Sequence, residues 1–162
     1  SRPKGVSKGA VKKLINPFYN ILIFTHMKHV TVVAAVIERN GKILCVQRGK
    51  SALPYISEKW EFPGGKIEEN ETEQETIVRE IREELHMDFV VGEKLMVVEH
   101  RYPDFHLTMH TYRGTSNDEP QLTEHLAYRW LDPAALPSLD WAEADVPVVR
   151  ALLNELQLIP SY

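Results

Sequence analysis

Residues 65–87, GKIEENETEQETIVREIREELHM, contain the strongest pattern in the chain. Three apolar residues recur in it at intervals of four: Ile77, Ile81 and Leu85. This interval is typical of the buried face of an amphipathic helix. Thr72 precedes that face and Glu75 follows three residues later, a combination that favours a helix N-terminus. The segment therefore predicts a helix from about Glu73 to Leu85.

The same helix concentrates acidic side chains in one region of its surface. They occupy three neighbouring positions: Glu80, Glu83 and Glu84. Residues three and four apart lie on one side of a helix, so these carboxylates project together. Like charges at such spacings each disfavour a helix by roughly a few tenths of a kcal/mol. A run of charged residues is usually only a solvent-exposed helix face. Here the regular spacing of the glutamates, on a helix that follows two consecutive glycines, predicts a cation-binding site instead.

The candidate ligand atoms on this helix are all carboxylate oxygens, with no histidine or cysteine at metal-ligand spacing. Such donors favour Mg²⁺, with Mn²⁺ as a substitute, over zinc. Mg²⁺ also binds phosphate oxygens and retains waters that can be activated for attack. We therefore expect a hard divalent cation that is shared with a phosphate-bearing ligand.

A family resemblance rests on the spacing across this segment. Gly65 is followed after five residues by Glu71, and after seven more by REIREEL at residues 79–85. This pattern resembles the Nudix box, a long motif with fixed spacing. One departure is His86, where the family usually has glycine. Histidine enters the left-handed conformation less readily than glycine does. We therefore expect a local change where the helix ends, with catalysis unaffected.

The flanking sequence predicts a sheet around this helix. The β-branched runs His29–Glu38 and Lys42–Gln47 are separated by Asn40-Gly41, which predicts an antiparallel hairpin. The glycines of Pro63–Gly65 are interpreted as a tight turn. The remaining predicted elements are strands at 89–100, 106–112 and 127–131 and a helix at 146–156. This order indicates an α/β sandwich, and the resemblance implies a Nudix-type α/β/α sandwich with a mixed β-sheet.

The resemblance covers most of residues 29–153 and is nearest to the MutT branch, including its CTP pyrophosphohydrolase relatives. Three further segments support this placement: residues 60–68, 102–107 and 145–147. It implies in-line attack of water at the β phosphorus of a nucleoside triphosphate, which releases a nucleoside monophosphate and pyrophosphate. The implied substrates are (d)CTP-like or oxidised nucleotides. Hydrolysis of ADP-ribose or another nucleoside diphosphate derivative, and a non-catalytic nucleotide sensor, stay open as alternatives.

Carried onto matching positions, the resemblance implies roles for individual residues. The implied metal ligands are a carbonyl and four carboxylates: Gly64, Glu80, Glu83, Glu84 and Glu124. The implied catalytic residues overlap with them: Glu80, Arg79, Glu83 and Glu124. Arg79 would orient a carboxylate, and Glu71 is interpreted as structural support. Glu124 and Glu80 are alternatives for the general base, which must reach the attacking water.

Four residues are implied to contact the substrate: Arg48, Phe62, Lys66 and Asp145. The two cations would offset the negative charge of the triphosphate. Phe62 either stacks on the base or fills the core. Asp145 either caps the second helix or reads the base edge. Because the MutT segment often has asparagine there and a carboxylate accepts from an exocyclic amino group, the aspartate favours cytidine nucleotides.

The chain has 162 residues, of which 43% are hydrophobic and 26% are charged. This length and composition indicate one globular domain. The net charge of −4 argues against attraction to a nucleic acid polymer. Cys45 is the only cysteine, so no intrachain disulfide can form, and we expect a buried thiol and a cytoplasmic location. Residues 1–26 are interpreted as an added or upstream-translated extension, and residues 27–162 as the hydrolase domain.

The sequence also indicates which partners to expect. The apolar stretch at residues 14–24 is interrupted by polar residues and is too short for a membrane span. We expect a nucleotide substrate, no membrane partner, and a monomer or homodimer, with DNA repair through nucleotide-pool cleaning or nucleotide turnover as the cellular role. Surface or strand positions without a ligand role are expected for five histidines: His29, His100, His106, His110 and His125.

Overall fold

The computed structural model describes residues 27–157 and shows a seven-stranded sheet with a helix packed on each face. The proposed extension at residues 1–26 lies outside the described residues. The strands are β1 (Lys28–Arg39), β2 (Lys42–Gln47), β3 (Trp60–Glu61), β4 (Gly64–Lys66), β5 (Val90–Arg101), β6 (Phe105–Thr115) and β7 (Ala127–Leu131). The helices are α1 (Glu73–Leu85) and α2 (Val146–Gln157), with 3₁₀ turns at Pro133–Ser138 and Glu143–Asp145.

The sheet is mixed, as predicted. Its main order is β3-β2-β1-β6-β5, while β4 also pairs with β1 and β7 also pairs with β2. Strands β1 and β6 run parallel, and the other pairs are antiparallel. The predicted α/β architecture is therefore confirmed.

Strand β1 is buried on both faces of the sheet. Ala34 and Val36 face the core beneath α2. The alternate residues face the core beneath α1: Val33, Ala35 and Ile37. Successive side chains of a strand point to opposite faces, so a strand covered on both sides reads as a nearly continuous apolar run.

Helix α1 begins and ends at the predicted residues. At its start, Thr72 Oγ1 accepts the backbone N–H of Glu75 at 3.1 Å. At its end, His86 has φ 53° and ψ 38°, and its N–H donates to Arg82 O at 3.0 Å. The expected change at the helix end is wrong, because His86 adopts the left-handed conformation that glycine usually supplies.

The predicted turn at Pro63–Gly65 is also wrong. Gly64 and Gly65 lie in β4, which pairs with β1 so that Gly64 is opposite Ala34 and Gly65 is opposite Val33. A Cβ atom on Gly64 would overlap the carbonyl oxygen of Val33. Close approach of two backbones, rather than a turn, therefore requires glycine here.

The other predicted elements are present with small shifts at their ends. Asn40 and Gly41 have φ of 51° and 76° and form the predicted hairpin. Cys45 is a buried free thiol, as expected. Among residues 27–157, neither helix has the length and apolarity that a membrane span requires.

Candidate active site

A cleft of about 1030 Å³ contains most of the predicted site residues. Its lining comes from β1, β3, β4, β6, one face of α1, the loops before β3 and β7, and the turn before α2. Eight predicted residues line it: Arg48, Phe62, Gly64, Lys66, Glu80, Glu84, Glu124 and Asp145. Arg79 and Glu83 instead line a shallower groove along α1.

Arg79 forms hydrogen bonds to three carboxylates of the motif. Its Nε lies 2.7 Å from Glu71 Oε2, and its Nη2 lies 2.8 Å from Glu71 Oε1. Its Nη1 lies 3.0 Å from Glu80 Oε1 and 3.1 Å from Glu83 Oε2. These contacts orient both helical carboxylates, and hydrogen bonding to the guanidinium lowers the pKa of Glu71 to about 2.

Glu71 also ties the loop to the start of the helix. Its Oε1 accepts the Glu68 backbone N–H at 3.1 Å and the Thr76 hydroxyl at 3.2 Å. Glu71 does not line the cleft but the groove beside Arg79. This placement matches the structural role that the sequence suggested.

Glu80 lies against the backbone of β4. Only 14% of its side chain is exposed, and a Cβ atom on Gly65 would overlap its carboxylate. Burial raises the pKa of Glu80, and the contact with Arg79 opposes that rise. Gly65 therefore provides the space in which this carboxylate reaches the cleft.

Glu84 is placed among other acidic groups at the C-terminal end of α1. Its pKa is raised to about 7, chiefly by burial and also by charge repulsion from Glu80, Glu61 and Glu124, while His125 opposes the rise. Ionised carboxylates gathered without a counter-charge are unfavourable. A divalent cation with a preference for oxygen ligands would relieve this repulsion, so the donor set fits Mg²⁺.

The loop between β6 and β7 brings Glu124 to the cleft. Thr123 Oγ1 donates to the carbonyl oxygen of Glu84 at 3.0 Å. The N–H of Leu126 donates to Gln47 O at 2.9 Å. These two bonds hold the exposed Glu124 beside Glu84, which explains how a residue far along the chain approaches the helical carboxylates.

Phe62 and Asp145 form a buried wall of the cleft. The ring of Phe62 is stacked on Trp141 with centroids 4.7 Å apart, so it fills the core while also lining the cleft. Asp145 Oδ1 accepts the Phe62 N–H at 3.0 Å. The helix-cap interpretation of Asp145 is wrong, because the residue lies in the preceding 3₁₀ turn and bonds to Phe62. Burial raises the pKa of Asp145 well above its usual range.

Two cleft residues, Glu61 and His125, were missed by the sequence predictions. His125 Nε2 lies 3.4 Å from Glu61 Oε1, and the His125 side chain is only 6% exposed. Burial lowers the pKa of His125, but the contact with Glu61 outweighs it and the net shift is upward. Arg48 Nη1 lies 3.6 Å from Glu61 Oε2. Two sequence signals could have indicated that these residues belong to the site. His125 directly follows Glu124, and Glu61 lies between two aromatic residues.

The fold and this carboxylate-lined cleft define the class of the protein. The model of the NUDIX domain family matches residues 27–152. The chain therefore belongs to the Nudix family and is a Nudix hydrolase.

Named relatives place it more narrowly. The chain is 37% identical over 144 residues to the CTP pyrophosphohydrolase of Escherichia coli (strain K12), covering 78% of this chain and 93% of the relative. It is 32% identical over 130 residues to the 8-oxo-dGTP diphosphatase of the same strain, covering 78% and 98%. The solution structure of the E. coli ORF135 protein matches with a TM-score of 0.71 and 33% identity, over 85% of this chain and 98% of that one.

Proposed function

We propose that this Nudix hydrolase is a Mg²⁺-dependent nucleoside triphosphate pyrophosphohydrolase. Its products are a nucleoside monophosphate and pyrophosphate. The observation that supports this best is that Glu80, Glu84 and Glu124 line the same cleft as the buried pair Phe62 and Asp145. The cleft thus has an acidic region for a metal and the triphosphate. It also has a region for the base, formed by the apolar Phe62 and the polar Asp145.

The proposed metal site uses oxygen donors only. Its members are the Gly64 carbonyl and four carboxylates: Glu80, Glu83, Glu84 and Glu124. Glu83 belongs to its edge, because its side chain is 60% exposed and paired with Arg79. A bound Mg²⁺, or Mn²⁺ as its substitute, would polarise phosphate oxygens and lower the pKa of water.

The residues of the chain have separate tasks in the proposed reaction. Glu124 or Glu80 accepts the proton of the attacking water. The new bond forms at the β phosphorus, and the bond from that phosphorus to the oxygen bridging the α phosphate breaks. Arg48 and Lys66 offset the negative charge of the triphosphate. Arg79 holds Glu80 in place throughout.

The proposed base site favours cytidine nucleotides, with oxidised nucleotides as the second class. Asp145 Oδ1 is already bonded to the Phe62 N–H, which leaves the second oxygen for a base edge. A carboxylate oxygen accepts from the exocyclic amino group of cytosine. The E. coli relative named CTP pyrophosphohydrolase supports this choice, and the relative named 8-oxo-dGTP diphosphatase supports the second class.

Phosphate release coupled to pyrophosphatase tests the proposal. We expect release from CTP, dCTP or 8-oxo-dGTP that requires Mg²⁺ and is absent without pyrophosphatase. Release from ADP-ribose that requires added phosphatase would favour the alternative hydrolase. Binding of nucleotides without any turnover would favour a sensor.

Substitution of Asp145 tests the base site separately. Asp145→Asn should change the ratio of kcat/KM for CTP and 8-oxo-dGTP by about tenfold, because one hydrogen-bonding group at the base edge is altered. Asp132→Asn, at an exposed position outside the cleft lining, is the matched control. An unchanged ratio would remove Asp145 from base recognition.

Two expectations about the cell and the chain belong to this proposal. The single buried thiol of Cys45 supports a reducing, cytoplasmic location, where the enzyme would act on the nucleotide pool. A chain that begins at Met27 should fold and keep its activity. Loss of either would contradict the interpretation of residues 1–26 as an extension.

A further inference from the structure

Three metal-ligating side chains meet on the sheet outside the cleft. They are His29 of β1, Glu99 of β5 and His106 of β6. Their chain neighbours Val30 and Phe105 line the cleft. Because successive strand residues point to opposite faces, His29 and His106 lie on the face away from the cleft.

Backbone register holds these residues together. His29 is directly opposite His106 in the parallel β1–β6 pair. Glu99 is opposite Thr108 in the antiparallel β5–β6 pair, two residues along β6 from His106. The three side chains therefore come from adjacent strands of one hydrogen-bonded sheet, which is a rigid support for a ligand site.

The potential ligand atoms already converge. His106 Nε2 lies 2.9 Å from Glu99 Oε2. His29 Nε2 lies 2.7 Å from Thr108 Oγ1, and that hydroxyl lies 3.0 Å from both carboxylate oxygens of Glu99. Both Nε2 atoms thus point toward the same carboxylate–hydroxyl pair, and the ligand atoms of His29, Glu99 and His106 all lie within 4.8 Å of one another.

The donor types differ from those of the cleft. Two imidazoles and one carboxylate suit zinc and similar transition-metal ions, which bind nitrogen well, whereas the all-oxygen cleft suits Mg²⁺. The hydroxyl of Thr108 could continue to bond to Glu99 and orient it as an outer partner of the site. Three protein ligands leave the fourth tetrahedral position for water.

We propose that His29, Glu99 and His106 bind a transition-metal dication of the zinc type, at a site separate from the Nudix carboxylates. The ion joins the N-terminal part of β1 to β5 and β6. Because the ion binds the folded chain and not the unfolded chain, it stabilises the folded state, and the melting temperature rises with metal concentration.

Metal titration of the full untagged chain tests this proposal. After removal of metals, Zn²⁺ is added in the presence of excess Mg²⁺, and the melting temperature and calorimetric binding are measured. We expect one saturable site, and a visible spectrum typical of tetrahedral coordination when Co²⁺ replaces Zn²⁺. His29→Gln or His106→Gln should weaken Zn²⁺ binding by more than about tenfold, since even loss of an outer partner costs this much.

The controls separate this site from the cleft. His110→Gln alters another histidine of β6 that lies outside the cluster and should leave Zn²⁺ binding unchanged. Circular dichroism shows whether each variant folds, and Mg²⁺-dependent hydrolysis should be unchanged in the variants of His29 and His106. No binding by the wild type, binding that survives the double variant of His29 and His106, or binding lost only in Glu84→Gln would overturn the proposal.

Discussion

Arg79 and Glu71 form a bidentate ion pair that joins the loop before α1 to the face of that helix. Glu71 precedes the helix, and Arg79 stands in its second turn. The remaining nitrogen of Arg79 contacts Glu80 and Glu83. The spacing from Glu71 to Arg79 in the motif is therefore the spacing that lets one guanidinium orient carboxylates on both elements.

Neutralising Glu71 should reduce the loss of stability in acid. Its pKa is about 2 in the folded protein, against an ordinary value of 4.5. A lowered folded pKa means that the stabilisation is complete above pH 4.5 and disappears as the pH falls towards 2. The melting temperature of Glu71→Gln should be lower than that of the wild type near pH 7, and the two values should converge in this acid range.

Glu69→Gln is the matched control for that experiment, because Glu69 is an exposed glutamate of the same loop. Its melting temperatures should follow those of the wild type at every pH. A constant difference between wild type and Glu71→Gln from pH 7 to pH 2 would contradict the assignment of the ion pair.

Gly65→Ala should reduce activity more than stability. The added methyl group overlaps the carboxylate of Glu80, the movable end of a side chain, so the fold survives while the carboxylate shifts. A misplacement of about 1 Å in an active site costs on the order of 100-fold in rate. We expect such a loss in kcat with the melting temperature nearly unchanged.

Gly64→Ala provides the contrast, because its methyl group meets the backbone carbonyl of Val33, which cannot rotate away. It should destabilise the protein by about 1–3 kcal/mol or more, measured by urea unfolding. Equal losses of stability in the two alanine variants would refute this distinction.

Glu84→Gln should stabilise the metal-free protein and abolish activity. The folded pKa of Glu84 is about 7, so ionisation destabilises the folded state increasingly as the pH rises from 4.5 through 7. Glutamine removes that penalty. In EDTA at pH 8, its melting temperature should exceed that of the wild type by about 2–4 °C, and the difference should vanish near pH 4.5.

With Mg²⁺, the same variant should lose hydrolysis because a proposed ligand is missing. Glu83→Gln, at a more exposed position of the same helix, should not show the stability gain. A lower melting temperature of Glu84→Gln in EDTA would show that the carboxylate has a structural role instead.

His86→Gly should stabilise the protein without altering metal dependence. A left-handed conformation costs a non-glycine residue roughly 1–2 kcal/mol, part of which is offset by the greater entropy of glycine in the unfolded chain. We expect a net gain of about 0.5–1 kcal/mol in unfolding free energy. An altered Mg²⁺ concentration dependence of hydrolysis would place His86 in the metal site.

Sequence patterns correctly predicted the elements that are determined by residues close together in the chain. The period of Ile77, Ile81 and Leu85 and the cap at Thr72 were sufficient for α1, because each contact lies within one or two turns. The twist of Asn40-Gly41 was likewise sufficient for the hairpin.

Contacts between distant residues were not predictable in this way. Gly64 and Gly65 have no strand preference of their own, and they pair with β1 only because that backbone passes close to them. Asp145 bonds to Phe62, 83 positions earlier, so its role depends on the finished fold. The two histidines of the proposed zinc site meet through the register of β1 and β6, which no sequence spacing shows.

The parallel pairing of β1 with β6 has a consequence for biosynthesis. Strand β1 ends at Arg39, whereas β6 begins only at Phe105, so this pairing closes a long loop, and such pairings form slowly. On the ribosome, α1 can form from local contacts and β1 can pair with β2 and β4, while the edge of β1 that binds β6 is still unpaired. That edge of β1 therefore stays unpaired until β6 is complete at Thr115, and an unpaired strand edge is a site where non-native pairing can begin.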